Sequence, residues 1–334
     1  MNLVSPIFFN SNRVSCTYKG GNLLDGFLEA ISNDGENFSE EWLVSVESSP
    51  ENKKNPNEGI SEIIDENGFG STPLPEFFTA NADSIFGADY IVRYGRKFPL
   101  RLRLIDTGEK RPVQSATKSK TWIIIETDEV DGKEPCVMLG FKEGVTSEGV
   151  VEATRLDDGR LEMMMHSIPA KAGDAFFIPP GLPHAIGAGI LLYEVQPVDN
   201  TSVCLEDKFR GDAPAWTPTD GDIATYNNED ILRAVQPSNH MLKRSDEGFC
   251  SEVVGGHQTD DFMIWHAEVV SKMELKLPRT FAMVLCTGGE GNISYSGGVR
   301  EIKKGDFFIQ PFGVPWIEYN AHGRLSLIIT MPPA

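Results

Sequence analysis

The chain has 334 residues, 40% of them hydrophobic, with 32 Gly and 21 Pro. That length and turn-rich composition fit a large β protein or two domains better than a helical bundle. A net charge of −19 argues against nucleic acid and anionic membrane as partners.

The first hundred residues mix helical and extended signals. Helical spacing predicts helices over Asn22–Ile31 and over Glu58–Glu66, the second ended by Asn67-Gly68, and Pro75 opens a third. The polar run Ser48–Glu58 reads as a surface loop. No basic stretch followed by an apolar run opens the chain, so no signal peptide is expected. No apolar run approaches the roughly 20 residues of a membrane span. Five scattered cysteines, without C-x-x-C spacing, read as free thiols of a cytoplasmic protein.

From Phe98 onward strands dominate. Leu100–Leu104 alternates with period two, which places Arg101 and Arg103 on one face. Trp122–Ile125, Val137–Leu139, Met163–Ile168, Ala175–Ile178 and Ile190–Val195 follow as strands. Residues 211–244 form a linker holding one short helix, capped by Asn227 or Asn228 and followed by Pro237. Strands then resume at Phe262–His266, Phe281–Leu285, Gly291–Tyr295, Asp306–Ile309 and Leu325–Ile329.

Nine Lys or Arg residues fall between Arg93 and Lys120, against Asp106 and Glu109. This run is either a solvated strand face or the wall of a pocket for an anionic small molecule such as a sugar phosphate.

The segment Gly173–His184, G-D-A-F-F-I-P-P-G-L-P-H, nearly recurs as Gly305–Trp316, G-D-F-F-I-Q-P-F-G-V-P-W. The form G-D-x-F-x-x-P-x-G-x-P-H/W resembles a signature of cupin barrels. The expectation is a mainly β chain of two cupin-like (double-stranded β-helix) barrels with short helices. Residues 1–94 would pack on a first barrel at 95–210, and the 211–244 linker would lead to a second, structural barrel at 245–334. His184 ends the first copy and can serve a site; Trp316 in the second copy packs or stacks.

Further stretches resemble the type I phosphomannose isomerases. These are Tyr18-Lys-Gly-Gly21, Glu40-Glu-Trp42-Leu-Val-Ser45, Phe98-Pro-Leu100 with Leu104-Ile-Asp106, Ile178-Pro-Pro-Gly181 with His184-Ala-Ile-Gly187, and Tyr193-Glu-Val-Gln196. The resemblance implies aldose–ketose isomerisation of a sugar phosphate and a zinc ion held by Gln, His, Glu and His. Gln114 and His184 stand at two of those positions, a remnant too small for zinc by itself. Ala116 stands where the first His belongs and Lys120 where the Glu belongs, while Val203 replaces an expected Arg. His166 is the one residue nameable as a replacement ligand.

The resemblance puts Glu194 at a proton-transfer position. Lys120 either points into the vacated metal position, where its ammonium would repel zinc and polarise a carbonyl, or points to solvent. His184 either keeps a ligand-binding role or only hydrogen-bonds within the barrel. Arg101, Arg103, Lys118, Gln114 and His184 are the expected substrate-binding residues. The competing functions are a divergent isomerase with altered or lost metal use, a non-catalytic sugar or sugar-phosphate binder, and a purely structural protein. The sequence leaves the oligomeric state open.

Overall fold

The computed structural model describes residues 5–29, 38–49, 55–64, 71–156, 158–206, 223–277 and 280–332. The architecture is mainly β, with six helices among the described residues. None of those helices is long and apolar enough to cross a membrane.

Two six-stranded sheets occupy the first half. One runs in the order Ala175–Ile178, Lys120–Thr127, Ile190–Pro197, Leu100–Thr107, Glu40–Trp42, Arg13–Val14. The other runs Met165–Pro169, Cys136–Lys142, His184–Ile186, Gln114–Ala116, Ser202–Cys204, with Thr225–Tyr226 alongside Cys136–Lys142. Their facing sides share an apolar layer that includes Ile105, Trp122, Leu139, Ile186 and Leu192. The second half is one nine-stranded sheet built on the long strands Ala282–Tyr295 and Trp316–Met331. No closed barrel is formed among the described residues.

Most predicted elements stand close to where the periodicity placed them. Leu23–Leu28 and Leu74–Phe86 are helices, the latter with Pro75 in its first turn, where the missing N–H costs nothing. Asn227 caps the helix Asn228–Ala234 by accepting from the backbone N–H groups of Glu229 and Asp230. The predicted helix Glu58–Glu66 is overturned: Glu62–Ile64 is a strand paired with Ser71–Pro73, and Ile63 is buried between two exposed neighbours. Three residues cannot separate the two periods, and the pairing partner decides. Asn67-Gly68 and residues 211–222 of the linker lie outside the described residues. The end of that linker, His240–Ser245, is an edge strand of the nine-stranded sheet. Strand Met165–Pro169 starts two residues late because Arg160–Met163 is a helical turn. The two strands read at 281–295 are one, interrupted by bulges near Cys286–Gly288 and Gly289–Gly291.

The N-terminal segment serves both halves. Arg13–Val14 and Glu40–Trp42 extend the first sheet, whereas Ile7–Phe8 pairs with Phe308 and Ile309 of the nine-stranded sheet. An aromatic cluster of Phe78, Phe86, Tyr90, Phe98 and Phe281, with ring centroids 5.0–6.2 Å apart, joins the helices to both halves. Such pairs contribute about 0.5–1.5 kcal/mol each beyond area burial. The Tyr193 hydroxyl and Thr330 Oγ1, 2.9 Å apart, link the halves as well.

Candidate functional site

A cavity of about 230 Å³ opens between the two six-stranded sheets. Arg101, Arg103, Lys120, Trp122, Glu194 and Gln196 reach it from one sheet; Gln114, His184 and Ser202 reach it from the other. Strand register makes this grouping. Trp42 lies opposite Arg103, Arg103 opposite Glu194, and Glu194 opposite Trp122, so the four side chains form one row across a sheet face. On the facing sheet His184 lies opposite Gln114. The period-two reading of Leu100–Leu104 is therefore the one that brings Arg101 and Arg103 to the cavity.

Lys120 is buried inside, which overturns its solvent-facing reading. Its Nζ is 3.3 Å from Glu194 Oε2, and both side chains are about 95% inaccessible. Trp122 Nε1 donates to the same oxygen at 2.9 Å and Gln196 Nε2 donates to Oε1 at 3.1 Å. Asn200 Nδ2 donates to Gln196 Oε1, and Asn200 also exchanges hydrogen bonds with the Lys118 backbone. Glu194 is thereby fixed at both oxygens. Burial pushes its carboxyl up, but the Lys120 ammonium, with Arg103 and Trp122, outweighs that and holds it below the usual carboxylate range.

His184 is 2% exposed. Its Nδ1–H donates to the Leu182 carbonyl at 2.8 Å, which fixes the tautomer and leaves Nε2 a bare lone pair. Nε2 is buried and has no partner. Burial, reinforced by the Lys120 ammonium, pushes the imidazole down to about 3, so it is neutral at physiological pH. The ring meets the edge of Trp122 at 5.3 Å. A buried acceptor without a donor is a place for a ligand hydroxyl.

The remaining expected residues divide. Arg101 lines the cavity but spends its guanidinium on Glu47 at 2.7 Å and the Val198 carbonyl. Lys118 does not line it: its ammonium is 2.8 Å from Asp199 and 3.5 Å from Asp261. His166 is no replacement ligand here, because its Nε2 is 2.8 Å from the Tyr226 carbonyl and it does not reach the cavity. Val203, 44% exposed, faces away from it.

The residues present do not fit a zinc ion. His184 and Gln114 are the free donors, Glu194 is engaged by Lys120, and the ammonium would sit against any cation placed there. Among the described residues no three His, Cys, Asp or Glu side chains group as a metal site.

Sequence reasoning missed the charged cluster at the cavity mouth. Glu40, buried at 2% exposure, takes Arg103 Nη1 at 3.2 Å and Trp42 Nε1 at 2.7 Å on one oxygen. Its other oxygen takes Arg111 Nη2 at 3.0 Å and the Tyr18 hydroxyl. Burial raises the Glu40 carboxyl, but Arg103 and Arg111 with these donors bring it down to about 2. Arg111 belongs to the basic run and Tyr18, Glu40 and Trp42 to the stretches of family resemblance; their meeting required the register of Glu40–Trp42 against the Arg103 strand.

No family model matches the chain. It is 23% identical to mannose-6-phosphate isomerase of Streptococcus mutans over 340 residues, covering 98% of each protein. It is 23% identical to mannose-6-phosphate isomerase ManA of Bacillus subtilis over 256 residues, 71% of this chain and 76% of that one. The crystal structure of the mannose 6-phosphate isomerase from Bacillus subtilis superposes with a TM-score of 0.72 at 20% identity, over 98% of this chain and 99% of that one. The apo form of the Salmonella typhimurium enzyme gives a TM-score of 0.72 at 10% identity, over 99% and 100%. The chain has their fold.

Proposed function

We propose that the chain is a divergent sugar-phosphate isomerase of the mannose 6-phosphate isomerase type, built on two cupin-like units and working without the zinc of that family. The single observation that carries this reading is the buried Lys120–Glu194 pair, which lines the same cavity as His184 with its bare Nε2. Aldose–ketose isomerisation needs a positive centre at the carbonyl oxygen and a base at the neighbouring carbon. Lys120 supplies the first. Its ammonium gives a proton to the carbonyl oxygen of the open-chain sugar as Glu194 takes the proton from C2, leaving an enediol. Glu194 then returns its proton to C1, and the C2 hydroxyl gives its proton to Lys120. Every group ends as it began. His184 Nε2 accepts a substrate hydroxyl, and the sugar competes with Glu194 for Lys120, which frees the carboxylate as a base.

A second reading, binding without turnover, is favoured by one observation: Glu194 is held low by Lys120 and His184 down to about 3, both weak bases at neutral pH. Five free thiols support a cytosolic setting in either case.

The test is interconversion of mannose 6-phosphate and fructose 6-phosphate by the purified protein after exhaustive chelation, with metal content measured on the same sample. Turnover that survives chelation at well under one metal per chain is expected. Turnover that vanishes on chelation and returns with zinc would sink the metal-free assignment. Calorimetric binding without turnover leaves the second reading.

A further inference from the structure

We propose that Arg103 and Arg111, both held by Glu40, form a subsite for a phosphate-type oxyanion at the mouth of the cavity. It rests on the preceding function only in taking that anion as the substrate's phosphate. The two guanidiniums share a single carboxylate, so the cluster keeps one net positive charge. Both Glu40 oxygens are already occupied, by Arg103 and Trp42 on one and by Arg111 and Tyr18 on the other. Arg103 Nε and Arg111 Nη1 are nonetheless buried without a partner. Leaving a charged donor buried and unpaired is costly, and an oxyanion is the group that pairs with it.

The guanidinium planes are set before any ligand arrives. Arg103 lies 4.3 Å from the Trp42 ring centroid and Arg111 lies 3.2 Å from that of Tyr18. Both arginines line the cavity and also an outer chamber of about 660 Å³ on the other side. The carboxylates facing this junction are Glu194, already paired to Lys120, and Glu109, which accepts from the Lys19 backbone. Two forks from different segments offer more donors than the two oxygens of a carboxylate engage, and a phosphate uses them better. An anion held here leaves the carbon chain pointing inward, because Glu194 is the cross-strand neighbour of Arg103.

Calorimetry with inorganic phosphate, mannose and mannose 6-phosphate, at constant ionic strength, tests the subsite. In Arg111→Gln, phosphate affinity should fall about tenfold or more, and the preference for mannose 6-phosphate over mannose should collapse. Unchanged phosphate affinity in a folded Arg111→Gln protein overturns the subsite. Should that variant fail to fold, Glu40→Gln adds one positive charge and should tighten phosphate several-fold; unchanged or weaker binding overturns the subsite. Phosphate binding that depends on Arg111 without any turnover supports the subsite while the isomerase reading fails. Turnover and sugar-phosphate affinity both indifferent to Arg111→Gln would overturn the subsite and leave the isomerase reading standing.

Discussion

The two copies of the G-D-x-F motif fold alike down to single hydrogen bonds, yet they surround opposite interiors. Gly173 and Gly305 take φ of 91° and 90°, a conformation that favours glycine. Asp174 accepts from the Lys171 N–H at 2.9 Å, and Asp306 accepts from the Lys303 N–H at 2.8 Å. The strands that follow pair with Lys120–Ile123 in one half and Ala282–Leu285 in the other. Matching the registers puts Ala282, Val284 and Ile329 where the first half has Lys120, Trp122 and Glu194. Those two apolar β-branched residues and the alanine join a packed core with Phe308, Ile317 and Tyr319. The turn itself is reassigned too. In the second copy the Phe312 and Gly313 N–H groups donate to the Ile85 and Ser84 carbonyls, capping the helix Leu74–Phe86. One scaffold therefore stands with either filling, and the polar filling of the first half is not needed for the fold. That is the physical ground for reading it as function.

The largest effect is expected from giving the first half the second half's chemistry. Lys120→Met alone leaves Glu194 charged and buried, and should cost about 3–5 kcal/mol. The double variant Lys120→Met with Glu194→Leu removes both charges and should recover most of that loss, since replacing a whole buried pair is often neutral or stabilising. Urea denaturation measures both. Each variant should lose sugar-phosphate turnover. A double variant as unstable as the single one would mean that the pair holds the fold and that the polar filling of the first half is structural.

The repeat made the two matching turns and a mainly β chain legible, because the turn is written in residues with narrow backbone options, Gly, Asp and Pro, whereas the closed barrels expected from it are not formed among the described residues. His184 was legible because it ends the segment that this turn opens, whereas Gln114 was named only through the family resemblance; the structure sets the two opposite each other. The direction of Lys120 was not legible. It opens the strand Lys120–Thr127, where alternation has too few residues on one side to assign a face, and its partner Glu194 is far away in sequence. Lys118, two residues earlier, has the same charge and ends on Asp199 and Asp261 instead. Glu40 was hidden for a related reason. Its partners Tyr18, Arg103 and Arg111 come from three separated segments, and only the pairing of Glu40–Trp42 with the Leu100–Thr107 strand joins them. The short strand Glu62–Ile64 was misread because its length carries less information than its partner does.

Acid should distinguish the halves next. His184 is neutral when folded down to about 3, whereas an unfolded histidine takes up its proton near 6.5. The unfolded state therefore binds more protons between those values, and stability falls as pH drops through that window. At the middle of it the slope is about 1.4 kcal/mol per pH unit for one proton. Subtracting the pH–stability curve of His184→Asn from that of the parent isolates this contribution, since the other carboxylates are common to both. No difference in slope between pH 6.5 and 5 would mean that His184 is not buried as a neutral ring.

His184→Trp copies the second motif into the first. His184 is buried against Trp122, so the larger indole would both occupy the cavity of about 230 Å³ and press on that ring, and the expected stability cost is that of overpacking, about 1–3 kcal/mol. The expected functional loss is complete, because Nε2 and the space beside Gln114 vanish together. A His184→Trp protein that still binds mannose 6-phosphate at parental affinity would place the site elsewhere.

The smallest effect is expected where the halves are joined. Asn227 Oδ1 accepts from the Glu229 and Asp230 N–H groups at 2.9 and 3.0 Å, and the helix it starts lays Ile231 against the first half's core. Asn227→Ala should cost about 1 kcal/mol, the usual value of a lost cap. Because Ile231 belongs to the apolar layer of the two six-stranded sheets and not to the core of the nine-stranded sheet, the loss should appear in the unfolding of the first half. Hydrogen exchange resolves this. Faster exchange at Trp122 and Leu192 with unchanged exchange at Val284 and Leu327 would mean the halves open separately, whereas equal acceleration in both would mean that the shared aromatic cluster makes them one cooperative unit.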